Sequence, residues 1–397
     1  MALPNVKHLV SSLLILTTLK CFSQVGGPEA PSTDGRIGSG LIVTGVPFLL
    51  ISPDARAGSM GDVGAATSPD ANSIHWNPAK LAFMEDSKGI SISYSPWLQR
   101  LVPDINLAYL SGYYRLDDRN TIGASLRYFS LGQIDLISAE KEPQGTYSPN
   151  EFALDGTFAR QFGENFSLGT AVRFIYSSLS NGQFSAGQQT KPATALAADV
   201  SAYFKKETIL LGSDARVALG LDISNIGNKI SYTDGGGKIF IPTNMRLGAA
   251  STFLNGLSEF TVALDVNKLL VPTPPIRDSE GRIVAGRDPD RSVPAGIFGS
   301  FADAPGGFSE EMKEINYALG LEYLYNKQFA LRTGYFYEHP DKGDRQYLTL
   351  GAGLRYNVFN IDFAYLLANQ QKSPLANTLR FSLVFNFGAE KNTSNAN

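Results

Sequence analysis

From Gly89 to Phe387 apolar and polar residues alternate with a period of two, the spacing of strands whose two faces meet different surroundings. Leu168, Thr170, Val172, Phe174 and Tyr176 interleave with Gly169, Ala171 and Arg173, and Phe260, Val262, Leu264 and Val266 with Thr261, Ala263, Asp265 and Asn267. Ile105, Leu107 and Tyr109 stand against Asn106 and Ala108, and Leu348, Leu350, Ala352, Leu354 and Tyr356 against Thr349, Gly351, Gly353 and Arg355. The pattern predicts one apolar face throughout and a second face of small, polar and charged residues. About fourteen segments carry it, at 89–94, 105–115, 121–130, 151–161, 166–177, 194–204, 215–223, 244–252, 258–267, 315–325, 328–338, 345–356, 359–369 and 377–387. Each is near the ten residues that a tilted membrane strand requires. The expectation is an all-β transmembrane barrel of about fourteen antiparallel strands, an even number that returns both ends to one side.

Connection lengths point the same way. Short turns at Asp117-Asp118-Arg119-Asn120, Gly163-Glu164-Asn165, Asn255-Gly256, Asn326-Lys327 and Asn357 alternate with longer links around 131–150, 178–193, 224–243 and 268–314. The connection around 205–214 is intermediate and fits least well. Outer-membrane barrels keep short turns and termini in the periplasm and long loops outside, so a bacterial outer membrane with both termini periplasmic is expected. The last segment alternates Phe381, Leu383, Phe385 and Phe387 with Arg380, Ser382, Val384 and Asn386; an aromatic-ended final strand resembles the assembly signal of bacterial barrels.

The stretch Gly45 to Phe83 breaks the pattern. Ser52-Pro53-Asp54-Ala55 and Ser68-Pro69-Asp70-Ala71 repeat one tetrapeptide, in which a Ser can accept from free helix-start amides and Pro sits where its missing N–H costs nothing. Asn77-Pro78-Ala79 offers a third start. Gly or Pro soon interrupts each, which predicts about three short helical turns packed through Ala and Gly. Such a segment cannot make a core of its own and must be enclosed as a plug. The inward phase of the strands carries Asp155, Asp199, Asp222, Asp265, Glu322 and Asp362, and also Arg127, Arg173, Arg246, Arg332, Arg355 and Arg380. Both signs are well represented, so the lining reads as paired filling around the plug rather than as a single-sign selectivity path.

Composition narrows the class further. Lys7 and His8 precede the apolar run Leu9 to Leu19 and a cleavage site at Cys21-Phe22-Ser23, a signal peptide too short to span a bilayer. Lys20 before Cys21 disfavours a lipoprotein. The predicted division is a signal peptide at 1–23, an extension and plug at 24–88, the barrel at 89–387 and a tail at 388–397. Cleavage removes the single cysteine and takes Lys+Arg from 34 to 32 against 37 acidic residues, a formal charge of −5. No basic excess points to nucleic acid. A mean hydropathy of −0.08 and the lack of a second long apolar run exclude a helical membrane protein, while 11% aromatic residues suit barrel strands.

The link from Lys268 to Glu314 is too long to serve only as a connection. Leu269, Leu270 and Val271 beside Pro272, Pro274, Pro275 and Ile276 make a stiff apolar projection, with Ile297, Phe298, Phe301 and Phe308 as further apolar contacts. A partner surface is one reading of these groups, and a loop folded over the barrel mouth is the other. Asp278-Ser279-Glu280-Gly281 and Asp288-Pro289-Asp290 lack the ligand spacing of a calcium loop and read as solvated turns. Asp234-Gly235-Gly236-Gly237-Lys238 lacks the spacing of a phosphate loop and reads as a flexible surface loop. His75 reads as a packed polar residue and His339 as a solvated one, so no catalytic, cofactor or metal site is expected.

A signal peptide, a plug ending in Asn77-Pro78-Ala79 and about fourteen strands resemble the FadL family of outer-membrane transporters, whose N-terminal hatch plugs the barrel. A closer resemblance is to the PorV family of FadL-like shuttle proteins of type IX secretion. It lies in Val46 to Ile51, Asp54-Ala55-Arg56, Met60-Gly61-Asp62, Ala66-Thr67, Trp76-Asn77-Pro78-Ala79-Lys80 and the Lys268 to Pro275 string. The resemblance implies a non-enzymatic shuttle that takes cargo bearing a C-terminal signal domain from the translocon barrel to a surface complex containing the sortase-like PorU. The FadL resemblance implies the alternative, a channel for hydrophobic small molecules. Expected partners are the translocon, the attachment complex, cargo and outer-membrane lipid. The plug residues singled out are Asp54, Arg56, Met60, Asp62, Trp76, Asn77 and Pro78.

Overall fold

The computed structural model describes residues 41–97, 104–137, 143–179, 184–185, 188–234, 236–368 and 378–388. The predicted signal peptide, both chain termini and most of the tail lie outside the described residues. Fourteen strands close into one antiparallel barrel: β1 (Lys88–Pro96), β2 (Ile105–Arg115), β3 (Asn120–Leu131), β4 (Asn150–Phe162), β5 (Phe166–Ser178), β6 (Ala193–Leu210) and β7 (Ser213–Gly227) form its first half. The second half is β8 (Asn244–Asn255), β9 (Ser258–Leu269), β10 (Ile315–Tyr325), β11 (Phe329–Tyr337), β12 (Gln346–Tyr356), β13 (Phe359–Ala368) and β14 (Thr378–Phe387). Pairing of β1 with β14, from Lys88 opposite Phe387 to Tyr94 opposite Phe381, seals the sheet and leaves no open edge.

Every segment read from the alternation is a strand. The intermediate connection around 205–214 is in fact a two-residue turn at Leu211-Gly212, whose φ values of 53° and 78° match the twist of a tight hairpin. Alternation had faded there because β6 and β7 run on past the apolar belt, where Lys206, Glu207 and Asp214 are exposed. One rim therefore carries only connections of two to four residues, and the other carries connections of eight or more.

Outward positions are apolar as expected in most strands, including Leu168, Val172, Leu264, Leu350 and Phe381. β2 is the exception. Its Ile105, Leu107 and Tyr109 point inward and are buried, while Leu110 and Tyr114 face out. Ile105 and Leu107 pack in one cluster with Val46, Phe48 and Leu49 of the plug, so the lumen has an apolar sector that the alternation alone could not distinguish from the lipid face. Arg355 corrects a second expectation: it shares the inward phase but lies exposed at the short-turn rim, bonded to Asn360.

The plug traverses the barrel. Near its start the Gly45 N–H donates to Phe240 O in a long link, and at its end Arg115 N–H donates to Ser87 O as the chain enters β1 at the short-turn rim. Between these ends lie a 3-10 turn at Pro47–Leu50, α1 (Ala55–Gly58), α2 (Ser73–Trp76) and a second 3-10 turn at Pro78–Phe83. The serines of the repeated tetrapeptides do not cap the helices. Asp54 caps α1, its Oδ2 accepting from Ala57 N–H at 2.9 Å, while Asp70 Oδ1 accepts from Asn72 N–H at 2.9 Å in a turn ahead of α2, whose N-cap Asn72 makes no side-chain cap bond. Asn77 caps the last turn by accepting from Ala79 N–H.

Candidate functional site

Wall glycines let the plug backbone touch the barrel. Gly220 and Gly248 stand directly opposite each other on β7 and β8, and so do Gly320 and Gly334 on β10 and β11. A Cβ at Gly220 would lie 2.0 Å from Ala65 O, and one at Gly334 would lie 2.1 Å from Met60 C and 2.2 Å from Gly61 N. Met60 is itself buried among Ala318, Phe336 and Tyr347. No side chain fits between these two backbones.

Wall side chains then bond the plug main chain. Asp265 Oδ2 accepts from Gly64 and Ala65 N–H at 2.8 and 2.9 Å, Thr349 Oγ1 from Gly61 N–H at 2.8 Å, and Ser382 Oγ from Ala55 N–H at 2.8 Å. Ser201 accepts from Ala79 N–H while Ser167 donates to Ala79 O. Asn77 Nδ2 donates to Ala65 O and to Ala202 O of β6, and Pro78 behind it is buried. An enclosed segment without long helices leaves many free backbone groups, and each must be met by the wall.

Charges complete the attachment. Arg56 forks to Asp70 at 2.8 Å and to Glu322 of β10 at 3.2 Å, and also bonds Ser68, so it ties the two repeated tetrapeptides together and to the wall. Asp62, at φ 64°, accepts from Arg380 at 2.7 Å and from the Tyr347 hydroxyl at 2.5 Å. Asp54 accepts from Trp76 Nε1 at 2.6 Å, and the Arg246 guanidinium lies 4.7 Å from the Trp76 ring centre. Within the wall Arg173 pairs with Asp155 and Asp199, and Arg332 with Glu322 and Asp362. His75 is buried beside Trp76 with Arg127 on its Nδ1. Buried Lys80, which the sequence reading named only within the Trp76 to Lys80 string, donates to Gly64 O and Thr67 Oγ1 and makes no ion pair among the described residues.

The Lys268 to Glu314 link divides into a buried stem and an exposed head. Leu270 and Val271 are 2% and 1% exposed and Pro272 is buried, so they are folded into the mouth rather than projected from it. Leu269, Pro274 and Pro275 are half-buried and Ile276 is exposed. Lys268 Nζ bonds Glu311 at 3.0 Å and Glu314 at 2.7 Å, Thr273 donates to Glu314, and Glu311 accepts from Asp303 and Ala304 N–H. These anchors hold two helices, α3 (Val293–Gly299) and α4 (Phe308–Lys313). Phe298 and Phe308 are each 79% exposed on them, with Phe301 and Met312 also exposed. Met312 is the member of this surface that the sequence reading missed, since its phase becomes readable only once α4 exists.

Lys342 reaches across from the next loop to Glu310 at 2.5 Å and Glu314 at 3.1 Å. Burial pushes the Glu310 carboxyl up, but hydrogen bonds from Lys342 and Gly306 N–H outweigh it and leave the group below its ordinary 4.5. A depressed carboxylate contributes stability above its unfolded value and loses that contribution as pH falls through the folded one. Protection of the Phe308–Lys313 amides, corrected for the intrinsic exchange rate, is therefore expected to fall as pH drops below about 4.5, and Lys342→Met should abolish that acid-dependent component; an equal fall in the variant would refute the contact's role.

Asp278 spends its carboxylate on the Glu280 and Arg282 amides and the Arg282 side chain, as a self-contained hairpin turn. His339 is more than solvated: its Nδ1 accepts from Asp341 N–H and caps the turn Pro340–Lys342. Gly235, in the glycine-rich loop, lies outside the described residues.

No curated protein matches the chain. Among solved structures, a monoaromatic hydrocarbon channel, the TodX deltaS2S3 mutant, aligns with a TM-score of 0.50 at 14% identity, over 85% of this chain and 100% of that one. The P. putida toluene transporter TodX aligns with a TM-score of 0.50 at 14% identity over 85% and 99%. At these identities the likeness establishes the plugged-barrel fold alone. The family model described as "Type IX secretion system protein PorV" matches residues 36–276, from ahead of the plug to the stem of the mouth loop.

Proposed function

The chain belongs to the PorV family of type IX secretion system proteins, as an outer-membrane β-barrel, and from that premise we propose that it is a non-enzymatic shuttle. In this reading it binds cargo with a C-terminal signal domain at the translocon barrel and carries it to the sortase-like attachment complex containing PorU. The observation that supports it best is the mouth loop, where buried ion pairs anchor α4 at its base while Phe308 on it and Phe298 on α3 stand exposed. Exposed aromatics on a pre-formed scaffold fit a protein partner, because little ordering entropy is lost on docking. Short turns on the periplasmic side would place this loop at the cell surface.

Mild-detergent purification followed by identification of co-purifying proteins tests the proposal. The translocon barrel, PorU or signal-bearing cargo is expected with the native chain. Phe298→Asp with Phe308→Asp should cut their recovery at least about tenfold, while barrel stability changes by no more than about 0.5 kcal/mol because both positions are exposed. Normal secretion and anchoring of signal-bearing cargo in a deletion strain would refute the shuttle.

The likeness to TodX raises the alternative of a channel for hydrophobic small molecules. Direct contact between plug backbone and wall glycines, with charges of both signs around it, argues against an apolar path through the lumen.

A further inference from the structure

The membrane-facing wall between β4 and β9 carries an oblique groove. One of its banks is the cross-strand row Phe162, Phe166, Phe204, Leu219, Ala249 and Leu264. The adjacent row runs Arg160, Leu168, Ala202, Leu221, Leu247 and Val266. Between them, from Phe166 of β5 to Val266 of β9, the wall has an open concavity of about 440 Å³ whose lining is almost wholly apolar. Its depth follows from the plug seat: Gly220 and Gly248 bring the wall against Ala65 from inside, and outside the small Ala202 and Ala249 stand among the larger Leu219, Leu221 and Leu247.

The groove has a direction. Arg160 lies two residues from the end of β4 at the short-turn rim, and Val266 lies three residues from the end of β9 at the long-loop rim. The concavity thus climbs across the apolar belt, and the row that forms one of its banks continues beyond it, through Leu168, to Arg160. The Arg160 guanidinium stands 5.8 Å from the Phe162 ring centre, and Lys206 faces outward opposite Val217, one step toward the rim from Phe204. Both are exposed and lie toward the short-turn ends of their strands.

We propose that this groove binds one glycerophospholipid of the periplasmic leaflet, its phosphate held by Arg160 and Lys206 and an acyl chain laid between the two rows. Bulk lipid is as apolar as the groove, so burial of hydrocarbon gives no preference by itself. Selection comes from charge-assisted bonds to phosphate, which suit a guanidinium fork. A transmembrane partner would not need a cation where the groove meets the interface. The site is on the wall opposite to the lumen and is independent of the shuttle proposal.

Native mass spectrometry of the full chain, extracted in mild detergent and progressively delipidated, tests it. One phospholipid is expected to remain after bulk lipid is lost. Arg160→Ala with Lys206→Ala should lower the bound fraction about tenfold, and Ala202→Phe with Ala249→Phe should lower it comparably by filling the groove. Heat-modifiable gel mobility reports that each variant is folded, and Ala352→Phe, on the lipid face of β12, serves as a control that should retain lipid. Equal retention in all variants would overturn the proposal. So would retention of only free fatty acid or lipopolysaccharide, or cross-linking of a protein partner through a photoreactive residue at position 249.

Discussion

Gly334→Leu is expected to unseat the plug and to lower the stability of the barrel by about 3 kcal/mol, the upper part of the range for forcing extra volume into a packed interior. The cost is high because the obstruction is backbone: Met60 C and Gly61 N lie where the new Cβ must go, and neither can rotate away. Moving Gly61 also breaks its bond to Thr349 and displaces Asp62 from Arg380 and Tyr347. Two measurements check this, the urea midpoint in lipid and cleavage by trypsin at Arg56, which the seated plug protects. Gly156→Leu is the matched control, since Gly156 faces outward with nothing near its missing Cβ. A Gly334 variant as stable and as protease-resistant as the control would refute the seat.

Arg56→Ala should cost about 3 kcal/mol or more, the scale for removing one member of a buried ion pair. Asp70 loses its cation, Glu322 keeps only Arg332 among the described residues, and the two halves of the plug lose a side chain that joins them. Arg56→Lys should recover less than half of the loss, because an ammonium cannot reach Asp70, Ser68 and Glu322 with one planar fork. In a double-mutant cycle with Glu322→Gln the two effects should couple by more than about 0.5 kcal/mol. Additive effects would mean that Arg56 acts on the plug alone.

The barrel was legible in the sequence because a strand with lipid on one side repeats a simple chemical contrast. That contrast fails where the two sides become alike. In β2 the lumen is apolar, so Ile105, Leu107 and Tyr109 carry the alternation with its sense reversed. Beyond the membrane both sides of β6 and β7 are wet, and the pattern stops before the strands do. The plug was legible as short helical turns, yet Ser52 and Ser68 looked like its caps because position was visible and side-chain direction was not. The seat had a signal that alternation alone passes over: Gly220, Gly248, Gly320, Gly334 and Gly351 all fall on the inward phase of their strands. The mouth loop was legible as long and apolar, but only Lys268, Glu311 and Glu314, distant in sequence, decide which of its apolar residues are buried.

The plug passes through the barrel from one rim to the other and continues directly into β1, whose partner across the seam is the final strand. That seam joins the two ends of the barrel sequence, a contact of the longest range and of the kind that is slow to form. The plug spans it from inside, since it runs covalently into β1 and is bonded to β14 through Ala55 to Ser382 and Asp62 to Arg380. The filling is thus also a clasp that holds the first and last strands together.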